Sequence, residues 1–264
     1  MNSQTKIKSS LERLITIPLI IGVSVGNVMT TSTPTLAQKV PQRWEAKTYK
    51  PPALGTPVNR EAAGTRGGCL NPNPEKKLTA LVPVYAYGVT TSAYPTLLFY
   101  VPSVGANQSP TLNFSLDDDT EDTRGETSIY KANILTNSKG GIVAIKLPKD
   151  AGGKPLEMNK DYLWKMSLSC GTDSDAGQNF VQGRIRRIPL KPSLKNKLKQ
   201  AKTAEKVNLY AESEIWFDAI ATLAEVRRNN PGDPNISNSW KQLLQAVKLD
   251  AFTRESLSKN DDEE

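Results

Sequence analysis

Between Leu78 and Ile188 apolar residues recur at every second position in short runs, and beyond Pro192 they recur at every third or fourth. That change of period restricts the fold more than any other feature. A period of two sends side chains to alternate faces of a strand, whereas spacing of three and four builds a stripe along a helix. The strand-type runs are "KLTALVPV", "PTLLFYVP", "TLNFSLDD", "TSIYKANILT", "GIVAIKLP", "DYLWKMSLSC" and "FVQGRIRRI", separated by Gly, Pro, Asn, Asp and Ser clusters. About seven strands with turns between them predict an antiparallel β-sandwich, not an alternating α/β fold. The chain is therefore expected to be mainly β with α, the sandwich spanning 69–190 and a helical module 191–250.

The run ending at Cys170 alternates most cleanly. Tyr162, Trp164, Met166, Leu168 and Cys170 share one face, and Lys165, Ser167 and Ser169 share the other. Tyr162 and Trp164 are the expected anchors of the sandwich, because aromatic side chains bury the most area. Past "IPLKP", Ser193 is the expected N-cap of a first helix marked by Leu194, Leu198, Ala201 and Glu205. Ile215, Trp216, Ala219, Ile220, Leu223 and Val226 stripe a second helix, so the two form a hairpin. Glu212 and Glu214 at its start and Arg227 and Arg228 at its end suit the helix dipole. Trp240, Leu243, Leu244 and Val247 mark a short third helix, and residues 251–264 read as a disordered acidic tail.

Only 38% of the residues are apolar and 6% aromatic, which is lean for one packed body. The N-terminus accounts for part of this. Lys6, Lys8 and Arg13 precede the apolar stretch "LITIPLIIGVSVGNVM", and Thr35 and Ala37 are small residues placed for cleavage after Ala37. Residues 1–37 are therefore expected to be a signal peptide, with a retained anchor as the alternative. No stable transmembrane segment is expected after cleavage. Residues 38–68, with four prolines and four glycines, read as a linker. An exported chain meets an oxidising compartment, periplasmic or extracellular, so Cys69 and Cys170 are expected to form a disulfide. In the chain-entropy account, closing a loop of about 100 residues contributes up to roughly 4.7 kcal/mol.

The chain contains no histidine. Ser-His-Asp and Cys-His catalysis are thereby excluded, as are zincin sites. No phosphate-binding loop or dinucleotide fingerprint occurs, no Ser-x-x-Lys marks a nucleophile at a helix start, and "GTRGGC" follows a linker instead of a strand. Asp117, Asp118, Asp119, Glu121, Asp122 and Glu126 crowd "SLDDDTEDTRGE", which reads as a solvated loop. Its alternatives are a calcium site or the carboxylates of a glycoside hydrolase, although the spacing departs from an EF-hand and Arg124 competes with a cation. "DSDAG" fails similarly at Ala176. No metal or other cofactor is expected.

From Arg184 to Lys206 nine basic residues face a single Glu. Arg184, Arg186, Arg187, Lys191 and Lys195 are the candidates for docking an anionic lipid or polysaccharide, with Arg184 and Arg186 facing outward. Net charge is +7, falling to +5 once three basic residues and Glu12 leave with the first 37 residues. This is also an ordinary solubility feature, and no nucleic-acid partner is expected for an exported chain.

Three resemblances add to this reading. "LEMNKDYLWKMSL" resembles the Leu…Tyr-x-Trp strand of fibronectin-type and immunoglobulin-like sandwiches, although Leu168 stands where an immunoglobulin corner has tyrosine. The blocks "PPALGTPVNREAAGTRGGC", "LTALVP", "TTSAYPTLLFYVP", "VQGRIRRI" and "EIWFDAIATLAEVRRNNPGDPNISNSWKQLL" resemble, in that order, a cyanobacterial exported domain-of-unknown-function family of the DUF928 type. That likeness implies origin and architecture but no activity. Tyr210, Ala219, Leu223 and Pro231 also fall at the spacing of a tetratricopeptide repeat, whereas Thr203, Lys206 and Val207 depart from its first helix. No second copy occurs, and a repeat unit alone cannot bury its own face. Trp216 and its stripe must pack elsewhere.

The expected protein is thus an exported, non-catalytic structural or interaction module of the cell envelope, with an envelope protein as partner. The alternatives are a carboxylate-dependent hydrolase of envelope carbohydrate and an anionic lipid- or polysaccharide-docking protein.

Overall fold

A computed structural model describes residues 58–62, 76–105, 110–119, 128–136, 138–149, 154–170 and 179–258, without the side chain of Cys170. The expected leader, most of the linker, the Cys69–Cys170 pairing and Glu121, Asp122 and Glu126 lie outside these residues.

β4 (Pro110–Asp118) and β7 (Asp161–Cys170) lie side by side, antiparallel, with Leu112 opposite Leu168 and Leu116 opposite Trp164. Their alternation buries Leu112, Phe114, Leu116, Tyr162, Trp164, Met166 and Leu168. β5 (Ser128–Leu135) continues this sheet beyond β4, and β8 (Phe180–Arg187) continues it beyond β7. The last strand, β2 (Tyr87–Thr90), pairs with β8 in parallel. The sheet is therefore mixed, not wholly antiparallel as expected, because β2 reaches β8 across a long connection and not through a hairpin turn.

β1 (Thr79–Ala80), β3 (Thr96–Val101) and β6 (Gly141–Lys146) form a second sheet in the order β1-β3-β6. Phe99 joins the sheets, its ring edge-on to Phe114 at 6.0 Å and to Trp164 at 5.6 Å. Such pairs add about 0.5–1.5 kcal/mol beyond the area they bury. β3 is buried from Leu97 through Val101 without alternation. Its second face is covered as well, and the helices cover it.

Four α-helices follow: α1 (Pro192–Gln200), α2 (Thr203–Glu212), α3 (Trp216–Asn229) and α4 (Pro234–Ala246). Pro192 occupies the first helical turn with Lys191 as N-cap, so Ser193 lies inside α1 and is not its cap. The single first helix expected across 194–205 is broken at Ala201, and the Glu205 carboxylate accepts the Lys202 backbone N–H at 3.0 Å to start α2. α2 and α4 each end on a left-handed non-glycine residue, Glu214 (φ 59°) and Lys248 (φ 60°). The following Ile215 and Leu249 donate back to the Tyr210 and Leu244 carbonyls, and both side chains are buried. Asp233 caps α4 through Oδ1, which accepts from Asn235 N at 2.8 Å.

α3 lies against β2 and β3. Trp216 is fully buried and its Nε1 donates to the Leu81 carbonyl at 2.9 Å. Gly88 permits this approach, since a Cβ there would stand 2.8 Å from the Phe217 ring. Gly183 does the same inside the first sheet, where a Cβ would meet the Ala86 carbonyl at 2.1 Å and the Trp164 ring at 2.3 Å. Ala219, Ile220, Leu223, Trp240, Leu243 and Leu244 join the strand residues in one continuous core.

Both ends of the described chain are tied in. Asn59 exchanges backbone hydrogen bonds with Gln182 of β8, while Ala62 N and Ala80 N bond to the Leu78 and Arg60 carbonyls beside β1. The Arg60 guanidinium, in the stretch read as linker, donates to Val82 O (3.1 Å), Val247 O (2.7 Å) and Lys248 O (3.1 Å), closing the end of α4. The stretch read as a disordered tail is structured as far as Ser258. Phe252 packs on Tyr100 with ring centroids 4.8 Å apart and planes tilted by 45°, and Ser256 and Ser258 bracket Ile142 on the edge of β6. Among the described residues no helix is long and apolar enough to cross a membrane.

Trp216→Ala is expected to lower stability by about 3–5 kcal/mol in denaturant unfolding. Gly183→Ala should cost about 1–3 kcal/mol or more by overpacking against Trp164, and an unchanged midpoint for that variant would show that the contact relaxes freely.

Candidate functional site

A half-open cavity of about 300 Å³ lies between α3 and the second sheet. It exists because α3 carries polar residues along one line, at 218, 222, 225 and 228, which the helical repeat of three to four places on one side. Thr96, Leu98, Ala144 and Lys146 form the opposite wall, from the start of β3 and the end of β6. The loop after β2 and Tyr210 of α2 close the ends.

Asp218 sits in the first turn of α3, where the helix dipole favours a carboxylate. Its Oδ2 accepts from Thr90 Oγ1 (2.6 Å) and Thr91 N (3.1 Å), and its Oδ1 accepts from Thr91 Oγ1 (2.6 Å). Both oxygens are thus committed to the loop after β2, and the residue holds helix to sheet. Burial pushes the Asp218 carboxyl above the usual range, against the pull of the hydrogen bonds from Thr90 and Thr91. Burial also raises the Tyr210 phenol, and the nearby Asp218 charge adds to it.

The other charged groups of the cavity are uncommitted. Among the described residues no hydrogen bond or ion pair engages the side chains of Lys146 or Glu225, and the buried Arg228 Nε has no acceptor. One cation therefore stands on the strand wall and another on the helix wall, with one carboxylate a helical turn before Arg228. This arrangement can bind a polar ligand. Its two carboxyl groups differ, since Asp218 accepts from Thr90 and Thr91 whereas Glu225 is exposed.

Apart from Tyr210, the residues singled out from sequence lie elsewhere. Arg184 is 5% exposed, not outward-facing, and its Nε donates to Asp119 Oδ2 at 2.5 Å. Arg186 pairs with Asp161 at 3.1 Å and donates to the Asn159 carbonyl, while Arg187 donates to the Leu156 carbonyl at 2.6 Å. These three guanidiniums hold strands and loops together. Lys191 and Lys195 are exposed at α1. Asp117 and Asp118 belong to β4 and do not lie in a solvated loop, since Asp118 is buried against Lys160 at 2.5 Å. Tyr162, Trp164, Trp216, Ala219 and Leu223 are core residues, Tyr210 is half-buried at the cavity, and Pro231 is exposed in the turn after α3.

Sequence reading missed Thr90, Thr91, Lys146, Asp218, Glu225 and Arg228 as a group. Asp218 alone carried a signal, as an acid set among Trp216, Phe217, Ala219 and Ile220.

Asp218 makes a pH-dependent contribution of defined sign. Its folded pKa is raised above an unfolded value of about 3.9. Between those values the folded state keeps a proton that the unfolded state has released. The contribution is full below about pH 3.9 and is lost as pH rises through the folded value. The stability of the wild type relative to Asp218→Asn should therefore fall as pH rises above about 3.9 in urea unfolding; a difference that grew with pH would reverse the sign.

No curated protein matches the chain. The family model described as Domain of Unknown Function (DUF928) matches residues 61–257, the same span in which Glu61 bridges Thr79 and Leu257 bridges Ile142. Covering most of the 264 residues, this match places the chain in the DUF928 family.

Proposed function

We propose that the protein is an exported, non-catalytic binding module of the cyanobacterial cell envelope, which presents the cleft between α3 and the second sheet to an envelope component. The observation that carries this reading is the commitment of both Asp218 oxygens to Thr90 and Thr91. Glycoside hydrolysis needs two carboxyl groups facing one substrate bond, about 5–10 Å apart. With Asp218 engaged by Thr90 and Thr91 and with Asp118 and Asp119 held in ion pairs, Glu225 is, among the described residues, the unengaged carboxylate of the cleft.

Export rests on the leader-like residues 1–37, and a Cys69–Cys170 disulfide in the periplasm or outside the cell accords with it. The immunoglobulin-like sandwich and the single tetratricopeptide-like unit are readings of the same kind. The stripe of that unit is buried against the strands, so a partner meets other surfaces. An anionic-surface role falls to Lys191 and Lys195, since Arg184, Arg186 and Arg187 are engaged within the fold.

The purified chain, mixed with isolated envelope polysaccharide and envelope protein fractions, should co-sediment with one of them and release no reducing ends. Reducing ends that disappear with Glu225→Gln would establish the hydrolase instead. Failure to co-sediment with any fraction would remove the binding module.

A further inference from the structure

Building on that binding reading, we infer that the cleft is a site for a one-ring sugar acid, whose carboxylate bridges Lys146 and Arg228 across the two walls. The argument starts from what the cleft leaves unspent. Arg228 lines the cleft, and among the described residues no acceptor or ion pair engages its guanidinium. Lys146 offers a second cation from the opposite wall. Among the described residues that line the cleft, Glu225 is the acid not already engaged, because the chain's own donors occupy Asp218.

Lys146 and Arg228 are matched in the lining by Glu225 and Asp218, so a second negative charge on the ligand meets repulsion that a single carboxylate, held between the two cations, avoids. That balance suits a monoanion and not a phosphate dianion. The remaining polar lining is hydroxylic, from Thr96, Thr222, Tyr94 and Tyr210, and it suits a ligand that carries several hydroxyls. An amino acid fits less well, since among the described residues its ammonium would rest on Glu225 alone, whereas a carboxylate meets both Lys146 and Arg228. Phe217, Leu98 and Ala144 supply an apolar floor for a ring. A cavity of about 300 Å³ is at the small end of ligand sites, which span about 300–1,000 Å³. It holds one ring, with longer oligosaccharides leaving through the open side.

Titration calorimetry of the full chain at constant ionic strength tests the assignment with galacturonate, galactose, acetate, glutamate and glucose 6-phosphate. Galacturonate should bind at least about tenfold more tightly than each of the others, since it alone combines a single negative charge with ring hydroxyls. Lys146→Gln and Arg228→Gln should each weaken it about tenfold, while thermal melting without ligand shows that the variants remain folded. Tighter binding of galactose, glutamate or glucose 6-phosphate would overturn the sugar-acid assignment, as would galacturonate affinity unaffected by both substitutions. Retention on envelope material, measured in parallel, separates the two readings. Retention without galacturonate binding sinks the ligand class alone, whereas loss of both sinks the binding module as well.

Discussion

The burial of β3 on both faces is the constraint on which the rest of the molecule depends. Phe99 faces β4 and β7, and Leu98 faces α3. A strand in that position cannot be solvated, so both the five-stranded sheet and the helices must be present for it to be stable. The three layers thus form as a unit, and the core residues run without interruption from the strands into α3 and α4. Trp216 and Asp218, two residues apart, connect the outer layer to the inner ones by different means. One buries a large ring and donates to Leu81, and the other accepts from Thr90 and Thr91. Together they set the spacing between helix and sheet, and that spacing leaves the cleft.

What could be read from sequence follows from how local each cause is. β4 and β7 were legible because one face is buried and the other is not, so their side chains alternate. β3 and β6 carry the nearly continuous apolar runs "TLLFYV" and "GIVAI", the mark of strands covered on both sides. That mark was present and was read only as more strands. β2 was missed, since "YGVT" is short, and Gly88 is there to admit Phe217, a residue far along the chain. α3 and α4 announced themselves by wide stripes. The break between α1 and α2 did not, because neither Gly nor Pro stands at Ala201 and Lys202. The ends of α2 and α4 use Glu214 and Lys248 where glycine is usual.

The candidate site was scarcely legible at all. Its walls come from the β2–β3 loop, β3, β6, α2 and α3, and no spacing rule joins segments that only the fold brings together. The basic run misled for a related reason. Arg184, Arg186 and Arg187 look like a surface in a linear reading, but their partners Asp119, Asp161 and Leu156 are supplied by neighbouring strands and loops. Guanidinium groups that can reach several acceptors are well suited to such joints.

Arg60 meets Val247 and Lys248, and Leu257 runs beside Ile142, so the first and last described segments close on elements distant from them in sequence. Contacts of that separation raise the contact order and delay the rewarding part of folding until loop-closure entropy has been met. A chain lacking its last segments leaves Arg60 with Val82 alone and the edge of β6 without cover. The cover of β6 and the closure of the α4 end are therefore supplied only by the last described segments, residues 247–258.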